Sequence, residues 1–209
     1  SKNSKWGWMK VPGNWGETGI TGSLEYAIGF GWYWKQVEVP ESWKNRKLYI
    51  RFGAIDDFDW TYINGKLIGH IGNNVRNYWM QPRIYSIPKE NVNWGGRNDI
   101  MICVENNAMD ASISSPAEIF ALQTMTLKWL NGKAKGKTYS FTVAVNSPRI
   151  PISQLRPNVK IIAELLDDKD EKIAAFIKQN RFWWWIGRRD WNRPLGQAVL
   201  KQFIESSQQ

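Results

Sequence analysis

Asn64-Gly65, set between Tyr62-Ile63 and Lys66-Leu67-Ile68, constrains this chain more than any other pair of residues. Both residues tolerate the positive φ angles of a type I′ turn, whose twist matches that of the strands it joins, so the sequence predicts a tight hairpin here. The blocks around it are of the same kind. Residues 33–39, 48–52, 59–63, 67–71, 83–87 and 100–104 are short and rich in β-branched or aromatic side chains, with Pro40, Pro82, Pro88 and Gly95-Gly96 between them. Evenly spaced short strands mean a sandwich or a barrel. Within them the period is two: Leu48, Ile50 and Phe52 share a face opposite Tyr49 and Arg51, and Ile100, Ile102 and Val104 share one opposite Met101 and Cys103. One face of each strand is therefore expected in the core and the other in water.

After Gln123 the β character continues over residues 125–130, 139–145 and 159–166, with Asn131-Gly132 and the acidic run 167–170 as turns and 173–178 returning beside 159–166. In residues 196–206, Ala198, Val199, Phe203 and Ile204 fall at helical spacing and predict a short amphipathic helix. The expected division is 1–123 and 124–209. Residues 1–123 are close to electrically balanced, and residues 124–209 hold nearly all of the formal charge of +9. Charge so segregated implies different contacts for the two parts.

With one Cys and one His among 209 residues, an internal disulfide and a structural zinc site are excluded, and no metal or cofactor is expected. No stretch reaches the roughly 18 apolar residues of a membrane span. The start, Ser1-Lys2-Asn3-Ser4-Lys5, has neither Met nor a hydrophobic leader and reads as a processed or trimmed chain. Phosphate loops, dinucleotide fingerprints and Gly-x-Ser-x-Gly elbows are missing, as are the Gly and terminal Glu that would make a calcium loop of residues 168–170 onward.

Four stretches then carry a resemblance: Gly31-Trp32-Tyr33-Trp34-Lys35, Val39-Pro40-Glu41-Ser42-Trp43, Phe52-Gly53-Ala54-Ile55-Asp56-Asp57, and residues 60–69 around the Asn-Gly turn. With Arg83-Ile84-Tyr85-Ser86-Ile87-Pro88 and Gly96-Arg97-Asn98-Asp99-Ile100, they resemble the N-terminal sugar-binding domain of glycoside hydrolase family 2, which includes β-galactosidases and β-glucuronidases. The resemblance covers residues 6–122. It implies an all-β, galactose-binding-like jelly-roll sandwich, followed by a basic, partly β C-terminal extension. That extension is open to a second reading, as a partial immunoglobulin-like domain with a terminal helix. Family 2 enzymes carry their catalytic carboxylates on a later TIM barrel, for which these residues leave no room, so no catalytic residue is assigned.

Asp56, Asp57 and Asp59 invite comparison with the paired carboxylates of glycoside hydrolysis. Alternation along a strand sets Asp56 and Asp57 on opposite sides and lets Asp57 and Asp59 share one; the competing expectation is that they cap the strand end and bond the adjoining loop. For carbohydrate, the candidates are Trp60, Asn74, Arg76, Tyr78 and Trp79. A pyranose lays its C–H patch on an aromatic face while amides and charges take its hydroxyls. The resembled β-galactosidases place a sugar- and cation-contacting carboxylate near the position of Asn74, where an amide is a poorer cation ligand. Trp32, Trp34 and Trp43 are expected in the core.

The stretch 181–191 interleaves Arg181, Arg188 and Arg189 with Phe182, Trp183, Trp184, Trp185 and Trp191. Alternation sends Trp183 and Trp185 one way and Trp184 the other, so a protein or anionic partner, or the rest of the chain, is expected to cover the second side; nucleic acid fits the resemblance poorly. The leading expectation is a non-catalytic carbohydrate-binding module of an exported protein, extracellular or periplasmic. Two alternatives stand beside it: a scaffold subunit of a larger assembly using the jelly roll for protein contacts, and a fragment of a family 2 glycosidase without its barrel.

Overall fold

The computed structural model describes residues 7–15, 28–108, 111–145, 161–179, 182–186 and 201–206, with 177–179 and 182–186 described as backbone. The chain divides into two compact units, Ser1–Phe120 and Ala121–Gln209. The fold is all-β. Among the described residues the one α-helical segment is 201–206, with three single-turn 3-10 segments in the first unit.

The strands are β1 (Gly13–Asn14), β2 (Gly29–Glu38), β3 (Leu48–Asp56), β4 (Phe58–Ile63), β5 (Lys66–Ile71), β6 (Pro82–Ile87), β7 (Arg97–Asn106), β8 (Ser112–Ile113), β9 (Glu118–Trp129), β10 (Thr138–Val145), β11 (Ile161–Leu166), β12 (Lys172–Gln179) and β13 (Phe182–Ile186). The first unit is a β-sandwich. One sheet has the order β2-β7-β4-β5; in the other, β3 pairs with β6 and β8, and β8 with β1. All these pairings are antiparallel.

The hairpin forms where the Asn-Gly pair requires it: β4 and β5 close on Asn64 (φ 48°) and Gly65 (φ 76°). Asn64 also ties this turn to its surroundings. Its amide donates to Asn98 Oδ1 and the Asn91 carbonyl, both at 2.8 Å, and its Oδ1 accepts the Asp99 backbone N–H at 2.9 Å. The period-two faces meet in the core, where Leu48, Ile50 and Phe52 of β3 and Ile100, Ile102 and Val104 of β7 are all buried. Trp43 is buried too, as expected.

Trp32 and Trp34 correct the expectation. Each is 48% exposed, because the inward positions of β2 belong to Gly29, Gly31 and Tyr33. A Cβ on Gly31 would lie 2.3 Å from the ring of Trp15, whose indole N–H bonds Tyr33 Oη at 2.7 Å. Trp15 fills that side of the strand, and the neighbouring tryptophans point outward. Cys103, expected on the solvent face, is buried on that outer side because Trp32 and Trp60 occupy its register positions on either flank.

In the second unit β9 pairs with β10 and β11, β11 with β12, and β12 with β13. The acidic run closes the β11–β12 turn: Asp167 Oδ1 accepts the backbone N–H groups of Lys169 and Glu171, both at 2.9 Å. Phe203 of the helical segment stacks on Trp129 and Phe176 at 4.9 and 4.5 Å, and Trp129 Nε1 donates to Ser206 Oγ at 3.0 Å. Residues 196–200 of the expected helix lie outside the described residues.

Candidate functional site

The loop between β5 and β6 is organised from beneath by a charged cluster inside the sandwich. Asp59 and Thr61 of β4 and Arg83 and Tyr85 of β6 all point into the core. Arg83 Nε donates to Asp59 Oδ1 at 2.8 Å, Tyr85 Oη bonds both Asp59 oxygens at 3.0 and 2.9 Å, and Thr61 Oγ1 donates to Oδ2 at 2.9 Å. Burial and the Asp59 charge push the Tyr85 phenol well above its usual range, so it stays a donor. Arg83 has further donors. Nη2 reaches the carbonyls of Ile55 and Asp57 at 2.7 and 2.8 Å, and Nη1 reaches those of Tyr78 and Gln81 at 2.5 and 2.6 Å. One buried guanidinium thus pins the end of β3 and the 3-10 turn Tyr78–Met80 to the same core carboxylate.

The loop above is two consecutive turns. Val75 N–H bonds the Gly72 carbonyl at 3.1 Å, Met80 N–H bonds that of Asn77 at 3.0 Å, and Asn77 takes φ 54°. Asn74 and Arg76 are exposed, and Trp79 is 44% exposed. Tyr78 packs on Phe58 at 4.7 Å and meets Trp79 edge-on at 5.2 Å. Trp60 takes a different partner: it stacks at 4.7 Å on His70, whose Nδ1–H donates to the Asp59 carbonyl at 2.7 Å. Tyr78 and Trp79 are therefore one cluster, Asn74 and Arg76 flank it on the same loop, and Trp60 stands on the outer sheet face.

The aspartates do not form a hydrolytic pair. Asp59 is taken up by Arg83 and Tyr85. Asp57 Oδ2 accepts the Asn107 backbone N–H at 2.8 Å. Asp57 lies between β3 and β4, where strand alternation no longer applies, and the peptide joining it to Asp56 is cis. Burial first, then hydrogen bonding to Asp57 and the Asp57 charge, raise the Asp56 carboxyl to about 7, against a smaller opposing effect of Arg83.

From the sequence, Arg83, Tyr85 and His70 have no role in a site, and Phe30, Trp32, Trp34 and Tyr62 have no surface role. Alternation of Phe30, Trp32 and Trp34 with Gly29 and Gly31 was the available signal. For the basic aromatic segment, the backbone of Trp183, Trp184 and Trp185 belongs to β13; their side chains, and Arg181, Arg188, Arg189 and Trp191, lie outside the described residues. Among the described residues no group of three or more His, Cys, Asp or Glu is placed to hold a metal, and no helix is long and apolar enough to cross a membrane.

The β-glucuronidase of Bacteroides fragilis is 27% identical to this chain over 99 residues, which are 47% of the chain and 13% of that protein. This is a distant relationship to glycoside hydrolase family 2, and the chain spans a small part of the curated relative's length. Among solved structures, the β-D-glucuronidase of Dictyoglomus thermophilum matches with a TM-score of 0.44 at 16% identity, covering 88% of this chain and 40% of that one. The Ruminococcus gnavus β-glucuronidase matches with a TM-score of 0.42 at 16% identity, covering 86% and 39%. No family model matches the chain.

Proposed function

We propose that the first unit is a non-catalytic carbohydrate-binding module of an exported protein, with its site at the loop between β5 and β6. The observation that carries this reading is the exposed Trp79, braced edge-on by Tyr78 and flanked by the exposed Asn74 and Arg76. An aromatic face with amide and guanidinium donors beside it is what a pyranose ring requires. The bonds of the buried Arg83 to the Tyr78 and Gln81 carbonyls hold the platform in place before any ligand arrives, which lowers the ordering cost of binding. The Asp59 and Asp57 carboxylates already serve structural bonds, in accord with a binding role. A glycan array tests the proposal: retention of at least one glycan, weakened tenfold or more by Trp79→Ala, is expected, and silence overturns it. Turnover of a chromogenic glucuronide or galactoside, abolished by Asp57→Asn, would overturn the non-catalytic part.

A second reading is favoured by the extent of the sequence match: the chain is a piece of a family 2 glycosidase whose catalytic barrel lies elsewhere in the gene product. The gene sequence on either side of these residues tests it. In the scaffold alternative the jelly roll makes the protein contacts, and, as a separate expectation, residues 181–193 attach the chain to an acidic protein face or to lipid headgroups. Trp184→Ser should then abolish assembly or membrane pelleting with the melting temperature unchanged; loss of stability without loss of association overturns it.

A further inference from the structure

The outer face of the β2-β7-β4-β5 sheet is paved with aromatic rings that the loop site does not use. Register places Phe30, Glu105 and Phe58 in one row across β2, β7 and β4, then Trp32, Cys103 and Trp60, then Trp34, Met101 and Tyr62. In every row an aromatic residue on β2 and one on β4 flank a residue of β7. The rings lean together diagonally, Phe30 to Trp60 at 6.4 Å and Trp32 to Tyr62 at 6.0 Å, so they form a continuous surface with Cys103 beneath. Phe30 is 66% exposed, and Trp32 and Trp34 are each 48% exposed. At one end Phe58 packs on Tyr78, which meets Trp79, so the pavement runs on into the loop.

We propose that this face is a platform for an extended, neutral polysaccharide chain, lying along β2 and β4 and reaching the Tyr78–Trp79 cluster. The inference rests on the carbohydrate-binding reading and enlarges it from one loop to a sheet face. Residues two apart on a strand are separated by about 6.8 Å, so three rows and the loop rings together are long enough for several sugar units. The placement of charge selects the occupant. Asp99, in the row beyond Trp34, accepts Trp34 Nε1 at 2.9 Å and Gln36 Nε2 at 3.1 Å on Oδ1, and its Oδ2 takes part in no hydrogen bond with the described residues. Glu105 stands between Phe30 and Phe58. Two carboxylates within an aromatic face cost desolvation under a protein cap that does not pair them, and they repel phosphate or uronate chains. Neutral hydroxyls satisfy them as donors while sugar C–H faces cover the rings. A sheet face is also rigid, so little is lost in ordering it.

The test is an array of neutral glycan chains from one to eight sugar units, probed with the full chain and with Phe30→Ala, Trp32→Ala and Trp79→Ala. Wild-type affinity is expected to rise with chain length, and Trp32→Ala or Phe30→Ala is expected to cost tenfold or more on six-unit chains while leaving binding of one- and two-unit sugars unchanged. Trp79→Ala should weaken both. Length-independent binding that responds to Trp79→Ala and ignores Trp32→Ala overturns the platform and leaves the loop site standing; silence for every glycan overturns both. Concentration-dependent dimerisation lost in Trp32→Ala, without glycan binding, assigns the face to a protein interface and overturns the proposal. Circular dichroism of each variant separates these outcomes from unfolding.

Discussion

Arg83 and Asp59 meet at 2.8 Å in the interior of the sandwich with neither side chain exposed, and they come from different sheets. Removing one partner leaves the other charge buried without compensation, a loss of about 3–5 kcal/mol. Arg83→Met should therefore destabilise the first unit by about that amount in urea unfolding. Arg83→Lys should rescue little, because an ammonium cannot reach Asp59 and the carbonyls of Ile55, Asp57, Tyr78 and Gln81 together.

Gly69 and Tyr85 form a second constraint in the same interior. A Cβ on Gly69 would lie 2.1 Å from the Tyr85 ring. Gly69→Ala should thus cost about 1–3 kcal/mol through overpacking. Measured in a Tyr85→Leu background, the cost should shrink, and an unchanged cost would mean that the contact is not its cause.

Asp56 gives the first unit an unusual pH response. Its carboxyl is raised to about 7 in the fold from an ordinary value of 3.8, so between those values the folded state holds a proton that the unfolded chain releases. Stability from this group is complete below the lower value and declines as pH rises toward about 7. Thermal unfolding of Asp56→Asn should lack that decline across the window, and a parallel profile in wild type and variant would refute the assignment.

Ile50 is 1% exposed on the inner face of β3. Truncation by Ile50→Ala should cost about 2–5 kcal/mol. A cost near zero in chemical denaturation would place that face in water and contradict the sandwich.

The sequence by itself determined the local geometry of this protein. Asn64-Gly65 specified a tight hairpin because few other pairs accept its backbone angles, and Leu48, Ile50 and Phe52 announced a shared apolar face because strand side chains alternate with period two. Only the tertiary structure decided what covers each face. Alternation groups Trp32 with Trp34 but does not say whether that side meets the second sheet or solvent; Trp15, far away in sequence, takes the inner position at Gly31 and leaves the tryptophans outside. Asp57 and Asp59 likewise can share a side of the chain by alternation, but that pattern does not say that Arg83, on a different strand, claims Asp59. Such pairings depend on which strands face one another across the core, and that is set by the packing of the two sheets rather than by any short stretch of residues.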